Sequence, residues 1–91
     1  MRFNWTWNES RTLMQLRPAL PDKDVHAYGW VEVLGKGYDG TGITRYHVWI
    51  STNLTKASMP CEEEEYVSLR KAMRALRTTV IVLLIGRNHG V

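Results

Sequence analysis

Residues 25–33, VHAYGWVEV, divide into two sets when every second position is taken. One set is small and aliphatic, and the other is aromatic and polar. This period of two predicts a β-strand with one buried face. Residues 2–7 alternate in the same way, with aromatic residues at every second position. We therefore expect strands at residues 2–7 and 25–34, and a third at residues 43–51, which are rich in β-branched and aromatic side chains.

A short first helix is predicted between the first two strands. Residues 8–10, Asn-Glu-Ser, can cap it, and the prolines at positions 18 and 21 would end it. Its apolar residues are Leu13, Met14 and Leu16.

A second helix is predicted to begin at Ser58, with Pro60 tolerated in its first turn. The glutamates at positions 62–65 would open this helix, and Arg70, Lys71, Arg74 and Arg77 would close it, as the helix macrodipole favours. The apolar residues that recur at helical spacing, and so form its buried stripe, are Tyr66, Leu69, Met73 and Leu76.

Residues 79–85, TVIVLLI, are apolar at both parities and predict a fourth strand with both faces covered. A helix that continues to Ile85 is the rival interpretation. With the strand, the order of elements is β-α-β-β-α-β. The expected fold is a single small α+β domain over residues 1–91, with a four-stranded antiparallel sheet and two helices on one face, in a ferredoxin-like arrangement.

The glycine-rich segment GKGYDGTG, residues 35–42, predicts a hairpin loop between the second and third strands. A two-residue turn at Asp39-Gly40 would place Glu32 opposite His47 and Trp30 opposite Trp49. A wider loop would place Glu32 opposite Arg45 and Trp30 opposite His47. Both registers keep the same residues on the same face of the sheet.

The aliphatic face of this hairpin is the better core, which leaves the aromatic face open. Its candidate binding residues are Tyr28, Trp30, Arg45, His47 and Trp49. Contiguous exposed apolar patches usually mark interaction sites, and Trp, Tyr and Arg dominate interface hot spots. We therefore expect a binding protein of the inhibitor or adaptor type, which docks on a protein partner or forms a homodimer through its sheet faces. The N-terminal segment or residues 34–38 could instead fold over these aromatic rings.

The charge pattern suggests a second surface. The chain has a net charge of +3, and from Tyr66 to the end it contains five Lys or Arg residues and no Asp or Glu. Arg70, Arg74 and Arg77 form a patch suited to an acidic or phosphate-bearing partner.

Single-stranded nucleic acid is the alternative ligand of the aromatic face, because stacking aromatics on a four-stranded sheet bind RNA bases. Three features count against it. Asn4 would stand where such domains stack a base, ITRYHVWI lacks their glycine-aromatic pattern, and the arginine patch lies on a helix.

No motif for catalysis is found. GKGYDG matches G-x-G-x-x-G, but a strand follows it, whereas a dinucleotide site needs a helix there. His26, His47, His89 and Cys61 lack the spacing of a zinc site. We expect no enzymatic activity, no metal and no cofactor.

The expected location is a reducing, cytoplasmic compartment. The single cysteine cannot form an internal disulfide, and the N-terminal residues lack the apolar stretch of a signal peptide. The longest apolar run, residues 80–85, is too short to span a membrane, so no membrane association is expected.

Overall fold

The computed structural model describes residues 2–20, 25–35, 40, 42–51 and 65–88. In this part of the chain, five strands form one antiparallel sheet in the order β1-β2-β3-β4-β5, and one helix follows. The elements are β1 (Phe3–Trp7), β2 (Leu13–Pro18), β3 (Gly29–Leu34), β4 (Arg45–Ile50), β5 (Glu65–Tyr66) and α1 (Leu69–Asn88). The α+β class was predicted correctly. The ferredoxin-like order was wrong, because sequential neighbours pair throughout the sheet.

The predicted first helix is strand β2. Met14 and Leu16 are buried in the core, while the residues between and beside them point to the opposite face, so the segment alternates with period two. Asn8 caps a tight connection rather than a helix. Its side-chain Oδ1 accepts hydrogen bonds from the backbone N–H groups of Thr12 (2.9 Å) and Leu13 (3.0 Å). Arg11 adopts the left-handed conformation, with φ of 56°, within this connection.

Residues 79–85, predicted as a fourth strand, form the second half of helix α1. The alternative prediction, a helix that continues to Ile85, agrees with the structure. Leu76 and Val80 are fully buried one turn apart and continue the stripe that Ala72 begins. Val82, on the other side of the helix, is 62% exposed. The β-branched residues here favour a strand intrinsically, but burial of one continuous helical stripe outweighs that weak preference. Within the described residues, no helix is long and apolar enough to cross a membrane.

Helix α1 begins later than predicted. The Ser68 side chain accepts a hydrogen bond from the Lys71 backbone N–H (3.4 Å), and the Ser68 carbonyl accepts one from Ala72 (3.0 Å). Glu65 therefore does not open the helix, and Tyr66 does not belong to its stripe, since both lie in β5. The predicted buried positions Leu69, Met73 and Leu76 do pack in or against the core.

The four basic residues predicted to close the helix do not lie at the end of α1. Arg70 and Lys71 lie in its first turn, and Arg74 and Arg77 lie in its middle. Ser58, Pro60 and the glutamates at positions 62–64 lie outside the described residues.

The β3–β4 hairpin has the register that a two-residue turn at Asp39-Gly40 requires. Trp30 stands opposite Trp49, and Glu32 stands opposite His47. Residues 36–39 and 41 of the loop lie outside the described residues. The aliphatic face is the core, as predicted, since α1 packs on β3, β4 and β5 over Val31 and Val48.

Candidate functional site

The candidate site is the face of the sheet opposite α1, which we call the outer face. The register defines its rows. One row runs across four strands through Thr6, Gln15, Trp30 and Trp49. The next row runs through Leu13, Glu32, His47 and Glu65. Among the described elements, α1 makes its contacts on the other face, so no described element packs across this one.

Trp49 is the most exposed aromatic residue placed on this face, with half of its surface (50%) in contact with solvent. Its indole Nε1 donates a hydrogen bond to Glu32 Oε1 at 3.3 Å. The ring of His47 lies against it, with the two centroids 4.4 Å apart and an interplanar angle of 34°. The two contacts hold the indole in one orientation and leave its other surface open.

Trp30 is half-buried on the neighbouring strand, directly opposite Trp49. Side chains that stand opposite each other in an antiparallel pair lie on the same face at close range. The structure therefore brings together three of the predicted site residues, namely Trp30, His47 and Trp49. Arg45, also predicted, lies at the start of β4 on the same face, opposite Leu34.

Tyr28 does not belong to the outer face. Its ring meets Phe3 edge-on, at 5.6 Å between centroids and 90° between planes, and Phe3 packs against the core on the helix side. The sequence pattern placed Tyr28 by extending the alternation of the strand to residue 25. Strand β3 begins only at Gly29, so the parity of the strand does not apply to Tyr28.

A polar cleft of about 200 Å³ opens at the β1–β2 end of the outer face. The Arg17 side-chain Nε donates a hydrogen bond to the His26 carbonyl at 3.3 Å, and the Asn4 amide reaches the Ala19 carbonyl at 3.5 Å. Sequence reasoning missed this cleft because it assigned β2 as a helix. Period two over residues 13–18 would have placed Arg17 on this face. The lining residues are Asn4, Thr6, Arg17, Pro18, Ala19 and His26.

The predicted arginine patch lies apart from the tryptophans. Arg70, Arg74 and Arg77 are exposed on α1, at spacings of four and three that place them on one helix face. The Arg77 guanidinium carbon is 5.8 Å from the centroid of the Phe3 ring, which is cation–π distance, on the helix side of the sheet. That these arginines meet an acidic or phosphate-bearing partner stays a prediction.

Within the described residues, no group of three or more His, Cys, Asp or Glu side chains is placed to hold a metal ion. Comparisons of the chain with protein-family models, with characterised proteins and with solved structures found no match.

Proposed function

We propose that the protein is a non-enzymatic binding protein of the inhibitor or adaptor type, and that its outer face docks on a different protein. The observation that carries this proposal is the state of Trp49. A large aromatic side chain is half exposed on a sheet face, yet Glu32 and His47 hold it in a defined orientation.

Such an arrangement favours binding for two reasons. Burial of an indole contributes more to association than burial of most side chains, and tryptophan is enriched among the residues that dominate interface energy. A side chain that is already held in place loses little conformational entropy when it binds. Trp30, directly opposite, extends the apolar area onto which a partner can pack.

The outer face carries charges of both signs, since Arg17 and Arg45 lie on it as well as Glu32 and Glu65. Such a mixture favours a protein partner over a polyanion such as a nucleic acid. The carboxylates of Glu32 and Glu65 lie in the row next to the two tryptophans. Nucleic-acid binding depends on neutralising phosphates with Lys and Arg, and carboxylates beside the stacking rings oppose it. The arginines of α1 lie on the other side of the sheet and would not reach a strand bound to the tryptophans.

Site-specific photo-crosslinking in cells of the source organism tests the proposal. A photoreactive phenylalanine analogue replaces Gln15, which neighbours Trp30 on the outer face, or Ser10, an exposed control in the β1–β2 connection. We expect a discrete protein adduct from position 15 that is absent from position 10. The Trp49→Ala substitution should abolish this adduct.

The mass and composition of the adduct separate the possible ligands. An adduct with a different protein supports the proposal. An adduct that nuclease digests would replace it with nucleic-acid binding, and one with twice the mass of the chain would replace it with a homodimer through the sheet faces. No adduct from position 15, or one that persists in the Trp49→Ala variant, would refute it.

A further inference from the structure

Strand β1 lies at one edge of the sheet, and its hydrogen-bonding pattern can be worked out from its register. The Asn8 N–H donates to the Leu13 carbonyl at 2.9 Å. Hydrogen-bonded pairs recur at every second residue of an antiparallel ladder, so Thr6 and Asn4 also direct their main-chain groups toward β2. Pro18 has no N–H. It stands opposite Phe3 in a pair that forms no main-chain hydrogen bonds, so its missing N–H leaves no bond unmade.

The remaining main-chain groups of β1 point away from the sheet. They are the N–H and C=O groups of Phe3, Trp5 and Trp7, and no described strand pairs with them. Each such group can form a hydrogen bond with another extended chain, so the edge is a template for one more strand.

The two edges of the sheet differ in how they are protected. Strand β5, at the far edge, is only two residues long and contains Glu65, and short length and charge both discourage pairing. Strand β1 has five residues, FNWTW, with no charge and no proline. Its three aromatic residues and Thr6 have high β propensity. Helix α1 packs on β3, β4 and β5, so the described helix does not cover the β1 edge.

We propose that β1 pairs with β1 of a second copy of this chain, antiparallel and across a two-fold axis at Trp5. The strand is self-complementary in this register. Trp5 meets its own counterpart, Phe3 meets Trp7 of the second copy, and Asn4 meets Thr6 of the second copy. All the outward main-chain groups are then satisfied, in three pairs with two bonds each, or about six hydrogen bonds.

The side chains match on both faces in this arrangement. Residues that stand opposite each other in an antiparallel pair share a face, so the aromatic rings of both strands meet on the helix side. The small polar side chains meet on the outer side. The two five-stranded sheets become one, with their outer faces continuous. This dimer is independent of the partner proposed for the outer face, and it would present two Trp30–Trp49 pairs on one surface.

Sedimentation and light scattering over a wide concentration series test the pairing. The interface is small, so we expect a reversible dimer whose fraction rises with concentration. A wild-type protein that stays monomeric throughout the series would overturn the proposal.

Two double variants provide the matched comparison, since Asn4 and Thr6 are both exposed. In Asn4→Lys with Thr6→Lys, a lysine of one copy stands opposite a lysine of the other at both Asn4–Thr6 pairs. This variant should abolish the dimer. Asn4→Lys with Thr6→Glu places opposite charges there and should retain it. Dimerisation that is equal in the two variants would overturn this register.

Hydrogen exchange of the wild-type protein keeps the proposal testable if a variant fails to fold. The amide protons of Phe3, Trp5 and Trp7 should become protected as concentration rises. Those of Asn4 and Thr6, which bond to β2, should be protected at every concentration. Outward amides that exchange at the same rate throughout would refute the pairing. None of these measurements depends on Trp49. If the β1 dimer is refuted, the outer-face proposal is unaffected, and if the outer-face proposal is refuted, the β1 dimer is unaffected.

Discussion

Gly29 lies directly beneath Leu76, at the point where α1 crosses the sheet. A Cβ atom built on Gly29 would stand 2.6 Å from Leu76 Cδ1 and 2.5 Å from the Trp49 carbonyl oxygen. The leucine side chain could turn away, but the carbonyl belongs to the neighbouring strand and cannot move without disturbing the β3–β4 ladder. The absence of a side chain at position 29 therefore sets how closely the helix approaches the strands that carry the tryptophans.

Replacing Gly29 with alanine should destabilise the protein by about 1–3 kcal/mol, the cost typical of overpacking a close contact. The measurement is the free energy of unfolding from urea titration. Gly35→Ala is the matched control, since a Cβ there would meet nothing within 4 Å. Equal stability of the two variants would show that the helix does not sit on Gly29.

Replacing Asn8 with alanine should cost about 1–2 kcal/mol, because two backbone N–H groups lose the side-chain oxygen that they share. Asn8→Asp keeps an acceptor oxygen and should retain most of the stability. Thermal unfolding of both variants checks this. An alanine variant as stable as the aspartate variant would mean that the side-chain oxygen does not hold the β1–β2 connection.

Val80→Ala and Val82→Ala should differ sharply in their effect on the free energy of unfolding. Val80 is fully buried beneath α1, and its truncation should cost about 2 kcal/mol through lost burial and the cavity left behind. Val82 is largely exposed, so its truncation should change stability by less than about 0.5 kcal/mol. Chemical denaturation measures both. The same large loss at both positions would instead indicate a strand buried on both faces.

Trp49→Ala and Trp5→Ala should separate binding from folding. Trp49 is half exposed on the outer face, so its loss should leave the far-ultraviolet circular dichroism unchanged and the stability nearly so, while partner binding is lost. Trp5 packs against the core, and its truncation should cost about 3 kcal/mol or more. Denaturation curves, together with the crosslinking assay, measure these effects. A Trp49→Ala variant that unfolds would show that this ring belongs to the core.

The outer-face residues whose positions could be predicted from sequence are those inside regular strands. Trp30, His47 and Trp49 were placed together because alternation within a strand decides the face of every residue in it. Tyr28 was misplaced because it lies one residue before β3 begins. The cleft beside Arg17 was missed because residues 13–18 were assigned as a helix, and the cleft forms only when they pair with β1 as a strand.

The sequence by itself determined the two faces of the β3–β4 hairpin and the helical stripe from Leu69 to Leu76, and it reduced the hairpin to two possible registers. Each of these depends on a periodicity or a turn signal that acts over a few residues. Only the tertiary structure decided between the two hairpin registers and the secondary structure of residues 13–18 and 79–85. Taken alone, each of these two short segments fits a strand or a helix. Pairing with β1 and β3 made the first run a strand. Burial of Val80 in line with Leu76 made the second a helix, since neighbours distant in sequence supply most of the burial energy.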